Sequence, residues 1–284
     1  MTRILTKRKA KWVKRRNPDV VRGTALNFNA SLESRYYTKL MRLINRMTEE
    51  TERTLERLYN KDFAQEYFAQ DDSIAAQARI IMNALFEKYQ RLFDAESKPL
   101  AEDMASQADA ASSSAMHSSM QQLSGGLSLP TRAITDDMKE ILSATVTENV
   151  GLIRSISAQY LEGVQGAVMR SITSGNGFKD LVPYIEKHKG ITQRRARMIA
   201  NDQTRKAYNN LNKGRMQKLG VKKFEWLHTG GSNEPRKLHI DYSGKIFSFD
   251  DLPIIDKNTG ERGIPGQAIN CRCRMVPVID FEDE

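Results

Sequence analysis

Cysteine is scarce in this chain, with two in 284 residues, at positions 271 and 273. Two thiols one residue apart exclude a disulfide framework of the kind that staples small secreted domains. Aromatics are only 7% of the residues and the mean hydropathy is −0.57, which disfavours a compact β-rich enzyme and suits solvent-exposed helices. No run approaches the ~18 apolar residues that a membrane span needs, and no apolar stretch follows the basic N-terminus as it would in a signal peptide. The sequence therefore points to a protein made and kept in a cytoplasm, with no membrane partner. Several catalytic fingerprints are missing too: G-x-x-x-x-G-K-[ST], a dinucleotide glycine motif, H-E-x-x-H and G-x-S-x-G. The carboxylate pairs Glu49-Glu50, Asp71-Asp72 and Asp136-Asp137 fall within helical patterns or at their starts, where charge faces water or the helix dipole.

What the chain does have is charge in one place. The net charge is +9, and residues 1–23 carry Arg3, Lys7, Arg8, Lys9, Lys11, Lys14, Arg15, Arg16 and Arg22 against Asp19 alone. The remainder holds 35 basic and 34 acidic residues of the chain's 44 and 35. A flexible basic arm on a balanced body reads as an electrostatic contact for nucleic acid, without sequence preference, or for an acidic protein surface. A solvated tail with no ligand is the alternative.

The hydrophobic period then predicts helices. Leu32, Tyr36, Leu40, Leu43, Met47, Leu55 and Leu58 form one stripe, with Ser31 as N-cap and an end near Tyr59. A second helix from Asp72 carries Ile74, Ala78, Ile81, Leu85, Tyr89 and Leu92 and is expected to stop before Pro99. Residues 100–122, rich in Ala, Ser and Gln, permit a helix that buries little. Thr135 caps a further helix reaching Ile172, which the glycines of "SGNG" end. A short helix leads to Gly190, and Thr192 caps another that Gly220 closes. After Gly220 the period changes to two: "KKFEWLH" sets Phe224, Trp226 and His228 on one face, and "GKIFSF" and "CRCRMVPVI" read as further strands. The expected fold is mainly α, with long N-terminal amphipathic helices and a small α+β module of short strands at the C-terminus. Its parts are a basic arm at 1–23, a helical region at 24–130, a helical connector at 131–190 and the module at 191–284.

Four soft or borderline ligands fall in that module: His228, His239, Cys271 and Cys273. They are the right number and type for tetrahedral zinc, although C-x-C is not the usual C-x2-C knuckle. In an extended strand the two Cα atoms stand roughly 6.5 Å apart, which disfavours a disulfide between them. The competing structural reading has two small thiols packed under the sheet with His228 stacked near Trp226. A thiol enzyme using His239 and Asn270, and a metal-dependent nuclease or hydrolase delivered with DNA, are the enzymatic alternatives.

The order "ARMIANDQTRKAYNNLNKGRMQKLG", "FEWLHTGGSNEPRKLHIDYSGKIF", "GIPGQAINCRCRMVPVI" resembles the minor head proteins of tailed bacteriophages that are similar to the phage Mu F protein. The resemblance covers roughly residues 165–280 and rests on Ala196, Ile199, Ala200, Ala207, Asn209, Trp226, Arg236, His239, Gly244, Pro265, Asn270, Cys271, Arg272 and Cys273. Two pieces depart from the family pattern, Asn201-Asp202-Gln203 and Gly230-Gly231-Ser232-Asn233-Glu234-Pro235-Arg236. What the resemblance implies is a structural, non-enzymatic protein of the head, needed for head morphogenesis and associated with the portal vertex. Its implied partners are the portal, the major capsid or scaffolding protein and packaged DNA. It would be oligomeric within the head, located in the virion and, during assembly, in the host cytoplasm. Trp226, Arg236, Gly244, Pro265, Asn270 and Arg272 would be structural motif residues. No cofactor is certain, and zinc is an open option.

Overall fold

In the computed structural model, residues 20–59, 73–126, 129–175, 178–230 and 235–280 are described. Their elements, in chain order, are β1 (Val20–Arg22), α1 (Ala30–Leu58), α2 (Ile74–Leu123), α3 (Asp136–Thr173), α4 (Phe178–Lys218), β2 (Lys223–Leu227), α5 (Lys237–Asp241), β3 (Ile246–Ser248) and β4 (Arg274–Asp280). The expected class, mainly α with a small α+β module near the C-terminus, is what the structure shows. Among the described residues no helix is long and apolar enough to cross a membrane. The chain forms two compact units built from interleaved stretches: residues 1–33, 103–145 and 201–284 in one, 34–102 and 146–200 in the other. The sequence reading drew consecutive segments instead. The boundaries between 102 and 103 and between 200 and 201 fall inside uninterrupted helices, where no linker composition marks them.

Several helix ends differ from expectation for local reasons. Asn29, not Ser31, caps α1, its side-chain oxygen accepting from the Ser31 N–H at 2.9 Å. The buried stripe runs Tyr36, Leu40, Ile44, Met47, Leu55 and Leu58, so Ile44 replaces Leu43. In α2 it is Phe93, not Leu92, that is buried. Pro99 sits inside α2, a helix of 50 residues. A proline there removes one backbone hydrogen bond and crowds the carbonyl four residues back, at about 3 kcal/mol. Burial on either side, at Phe93, Ala101, Met104 and Ala105, offsets that. Residues 100–122 do not bury little: Ala108, Ser112, Met116, Ser119 and Met120 are all sequestered, because small side chains let neighbouring backbone come close. Gly190 does not split α4 either. An interior glycine costs about 1 kcal/mol relative to alanine, too little to break a helix that buries Leu181 and Ile185 before it and Ala196 and Ile199 after it. Thr192 consequently caps nothing and donates its hydroxyl to the His188 carbonyl at 2.9 Å.

Other ends follow the sequence. Thr135 Oγ1 accepts from the Met138 N–H at 3.3 Å, starting α3. Gly175, in the left-handed region at φ 70°, follows its last turn. At Gly220, φ is 77°, and the N–H groups of Gly220 and Val221 bond to the carbonyls of Gln217 and Met216. This paired pattern satisfies the orphan carbonyls of the α4 C-terminus.

Within the unit of residues 34–102 and 146–200, the apolar stripes are joined by polar contacts between helices. Tyr36 donates to Asn149 at 3.0 Å, Tyr89 donates to Glu50 at 2.6 Å, Arg154 pairs with Asp94 at 2.8 Å and Arg195 donates to Ser155 at 2.8 Å.

The other unit holds the antiparallel sheet, in the order β1-β4-β2-β3. β4 is central, with Trp226 opposite Met275 and Val21 opposite Ile279. The sheet shares its core with Met116, Met120 and Leu123 of α2 and Met216 and Leu219 at the end of α4. β1 corrects the sequence reading, because residues 20–22, assigned to the flexible arm, are an edge strand. The chain continues along β4 beyond it, with the N–H groups of Gly23 and Leu26 donating to the carbonyls of Pro277 and Met275, each at 2.9 Å. Val20 and Val21 are buried, which supplies the reason a stretch of basic character still joins a sheet.

The same unit contains a polar network with no apolar signature in the sequence. Arg215, only 1% exposed, donates to the Thr131 carbonyl at 3.0 Å, to Ser112 at 2.7 Å and to Asp109. Ser112 in turn donates to Asn212 at 2.7 Å. Removing one side of a buried ion pair strands the other polar groups. Arg215→Ala should therefore lower stability by about 3 kcal/mol, read as a drop in the urea midpoint. Arg91→Ala, which removes an exposed pair with Glu87, should leave the midpoint in place. Equal midpoints for the two variants would show that the buried network contributes nothing.

Candidate functional site: a thiol and imidazole cluster beside the central strand

Three segments of the sheet-bearing unit supply the four candidate ligands. His228 follows the last residue of β2. The β2–β4 register pairs Leu227 with Arg274, so the next positions, His228 and Cys273, face each other. His239 lies in the single turn of α5. Cys271 and Cys273 occupy the irregular segment leading into β4, not the strand itself as the sequence suggested.

That segment is shaped by backbone conformation. Asn270 is left-handed at φ 57°, the one non-glycine residue in that region among those described. Asparagine tolerates this better than most side chains. The Cys271 N–H closes the turn onto the Ala268 carbonyl at 2.9 Å. Arg236 donates to the Ile269 carbonyl at 3.1 Å, and Thr229 donates to the Arg272 carbonyl at 2.7 Å. Cys271 and Cys273 are thereby turned inward, each 5% exposed, while Arg272 between them faces outward. Gly244, at φ 83°, returns the chain from α5 to β3, with its N–H on the Trp226 carbonyl at 2.8 Å. Pro265 is buried just ahead of Gly266.

The cluster is tight. The Cys271 and Cys273 sulfurs and a His239 ring nitrogen lie within 4.8 Å of one another. His239 Nδ1 is 3.4 Å from Cys271 Sγ and 3.9 Å from Cys273 Sγ. His239 is 2% exposed, and its Nε2 stands 3.0 Å from the Ile255 carbonyl oxygen. A carbonyl only accepts, so Nε2 carries the proton and Nδ1 presents its lone pair to the thiols. His228 Nδ1 is 3.5 Å from Cys273 Sγ, from a half-buried ring at the rim. The structural alternative named His228 as the partner of Trp226. Instead His239 packs edge-on against that indole, with ring centroids 5.0 Å apart. The Trp226 indole N–H is buried, makes no hydrogen bond of ordinary geometry and acts to lower the Cys273 thiol, against the larger influences that raise it.

Electrostatically the two thiols form one unit. The hydrogen bond from Cys273 is the largest influence on the Cys271 thiol and holds it well below the ordinary thiol range, against the opposing effect of burial. The same hydrogen bond, with burial, pushes Cys273 up.

The remaining motif residues are spread over both units. Ala196, Ile199 and Ala200 are buried in one. Ala207 and Asn209 are buried in the other, where the Asn209 side chain lies close against Gly266. Asp202, in the departing Asn201-Asp202-Gln203 segment, pairs with Lys206 at 2.8 Å. Of the proposed arm contacts, Arg3, Lys7, Arg8, Lys9, Lys11, Lys14, Arg15 and Arg16 lie outside the described residues. Arg22 is placed, and it is not part of a free arm: its guanidinium reaches over β4 to pair with Glu225 of β2. Sequence reasoning missed the Ile255 carbonyl that sets the His239 tautomer. A backbone group sixteen residues away leaves no residue-type signal.

With the geometry in view, the comparisons with known proteins bear out the resemblance. The model of the family described as phage Mu protein F like protein matches residues 162–276. An uncharacterized protein of Haemophilus influenzae is 30% identical over 255 residues, covering 88% of this chain and 54% of that protein. The uncharacterized protein YqbB of Bacillus subtilis is 27% identical over 128 residues, 42% of each chain. This chain thus spans about half the length of the curated relatives it matches. No solved structure gives a significant match.

The close fit at Gly266 can be tested directly. A Cβ there would stand 2.2 Å from Asn209 Nδ2, and φ is 83°. Gly266→Ala should destabilise the chain by about 1–3 kcal/mol. Asn209→Ala removes the clash together with the bond to the Arg205 carbonyl, so the double variant should lose less than the sum of the singles. Strict additivity in urea unfolding would show that the two positions do not touch.

Proposed function

We propose that this chain, with its phage Mu F-like region at 162–276, is a minor head protein of a tailed bacteriophage. In this reading it is associated with the portal vertex and acts as a structural interaction protein, not as an enzyme. The family match carries the reading. Three features of the chain support it. Helices of 29 to 50 residues offer long polar faces for packing against other head subunits. The space beside the thiol cluster is only about 30 Å³, room for a water or an ion and far below the ~300 Å³ of an ordinary small-molecule site. The basic residues between Arg3 and Arg16 suit packaged DNA or an acidic portal face.

Gradient sedimentation of lysates tests the assembly role. The protein should co-sediment with portal-containing heads, and cells lacking it should accumulate aberrant or unfilled heads. Recovery only as free protein, with heads assembling and filling normally in its absence, would overturn the reading. The DNA interaction has its own test. Deleting residues 1–19 should weaken retention on double-stranded DNA and flatten its salt dependence, by about 0.9 in log–log slope for each phosphate no longer neutralised. An unchanged slope would remove DNA from the partners of that segment.

A further inference from the structure

We propose that the sulfurs of Cys271 and Cys273 and Nδ1 of His239 bind one structural zinc ion, with His228 Nδ1 closing a tetrahedral shell. Ligand type is the first argument. Two thiolates and two imidazoles form an N2S2 set, which selects zinc over hard cations.

Spacing is the second. With zinc–sulfur bonds near 2.3 Å and zinc–nitrogen bonds near 2.05 Å, a regular tetrahedron places sulfur and nitrogen about 3.6 Å apart. The three sulfur–nitrogen distances here are 3.4, 3.5 and 3.9 Å. Thiols packed only as small apolar groups have no reason to gather two imidazole nitrogens at that separation. The unusual C-x-C spacing is accommodated because the left-handed Asn270 turns Cys271 inward before the chain enters β4. Both sulfurs then reach one point without a knuckle.

The surroundings are the third. His239 is already oriented as a ligand, with Nε2–H on the Ile255 carbonyl and Nδ1 free toward the sulfurs. A hydrogen-bond acceptor on the distal nitrogen is the usual way proteins hold a zinc histidine. The Trp226 N–H, fully buried and without a hydrogen-bond partner among the described residues, belongs to a ring packed edge-on against His239. Charge is the fourth. Zinc carries two positive charges, and two thiolates with two neutral imidazoles balance it, so a site buried under β4 ends neutral.

His228 is the loosest member, since its ring reaches Cys273 but not the whole three-ligand cluster. A rotation of its half-buried side chain completes the shell. Four protein ligands make the site closed, hence structural and not catalytic. Its consequence is to tie the end of β2, α5 and the segment before β4 to one point.

The test uses the full chain produced with zinc in the medium, dialysed, and analysed by inductively coupled plasma mass spectrometry. One zinc per chain is expected. Cys271→Ala, Cys273→Ala and His239→Ala should each lose it. His228→Ala should retain it but surrender it to a chromophoric chelator about tenfold faster. The wild-type chain decides the question if the cysteine variants fail to fold. Its two thiols should resist an aromatic disulfide reagent until a chelator is added, and cobalt replacement should give the visible bands of a tetrahedral thiolate site. Wild-type protein that holds no zinc, with thiols that titrate freely before any chelator, would overturn the proposal. Release from His228→Ala at the wild-type rate would remove His228 from the shell. None of these outcomes depends on whether the protein is found in heads.

Discussion

β4 is the strand on which the sheet-bearing unit depends. It has a partner along each edge, β1 on one side and β2 on the other, and its side chains enter the core with Trp226, Phe224, Met116 and Met216. A seven-residue strand near the end of the chain gains these contacts only if it approaches in the right register. That approach is governed by the segment before it. Asn270 bends the chain, Arg236 and Thr229 hold its carbonyls, and the buried sulfurs of Cys271 and Cys273 face His239. A one-residue slip would send both sulfurs to the wrong side and turn Met275 out of the core.

Much of this was legible from residues alone. The alternation in "KKFEWLH", the Thr135 cap and the closing Gly220 are local signals, and each is answered locally in the structure by a buried face, a cap bond or a paired C-terminal turn. His239, Cys271 and Cys273 stood out because their types are rare and their order resembles a known family. Illegible features depend on distant partners. Pro99 and Gly190 look like breaks when read alone, and they survive because buried residues on both sides hold the helix together. The Ala/Ser-rich stretch looked unable to bury surface, yet close approach is what small residues permit. At Gly23 a Cβ would stand 2.4 Å from Ser119 Oγ, and no sequence pattern announces such a contact. Val20 and Val21 were hidden within basic charge, and Arg22 became a cross-strand ion pair. The division into two units was illegible for the same reason, since it falls within helices.

The functional reading joins these levels. A phage Mu F-like region that places its motif residues at turns, a buried indole and an inward-facing thiol pair reads as architecture: Gly244 and Asn270 supply backbone angles, Pro265 and Trp226 fill space, and Arg236 anchors a loop. A metal at the cluster would act in the same sense, fixing three segments to one point.

X-ray absorption at the zinc edge of the purified full chain tests that central claim most directly. The account predicts a four-coordinate shell of two sulfurs at about 2.3 Å and two imidazole nitrogens at about 2.0 Å. A shell of oxygen and nitrogen alone, or an edge too weak to represent one ion per chain, would contradict it.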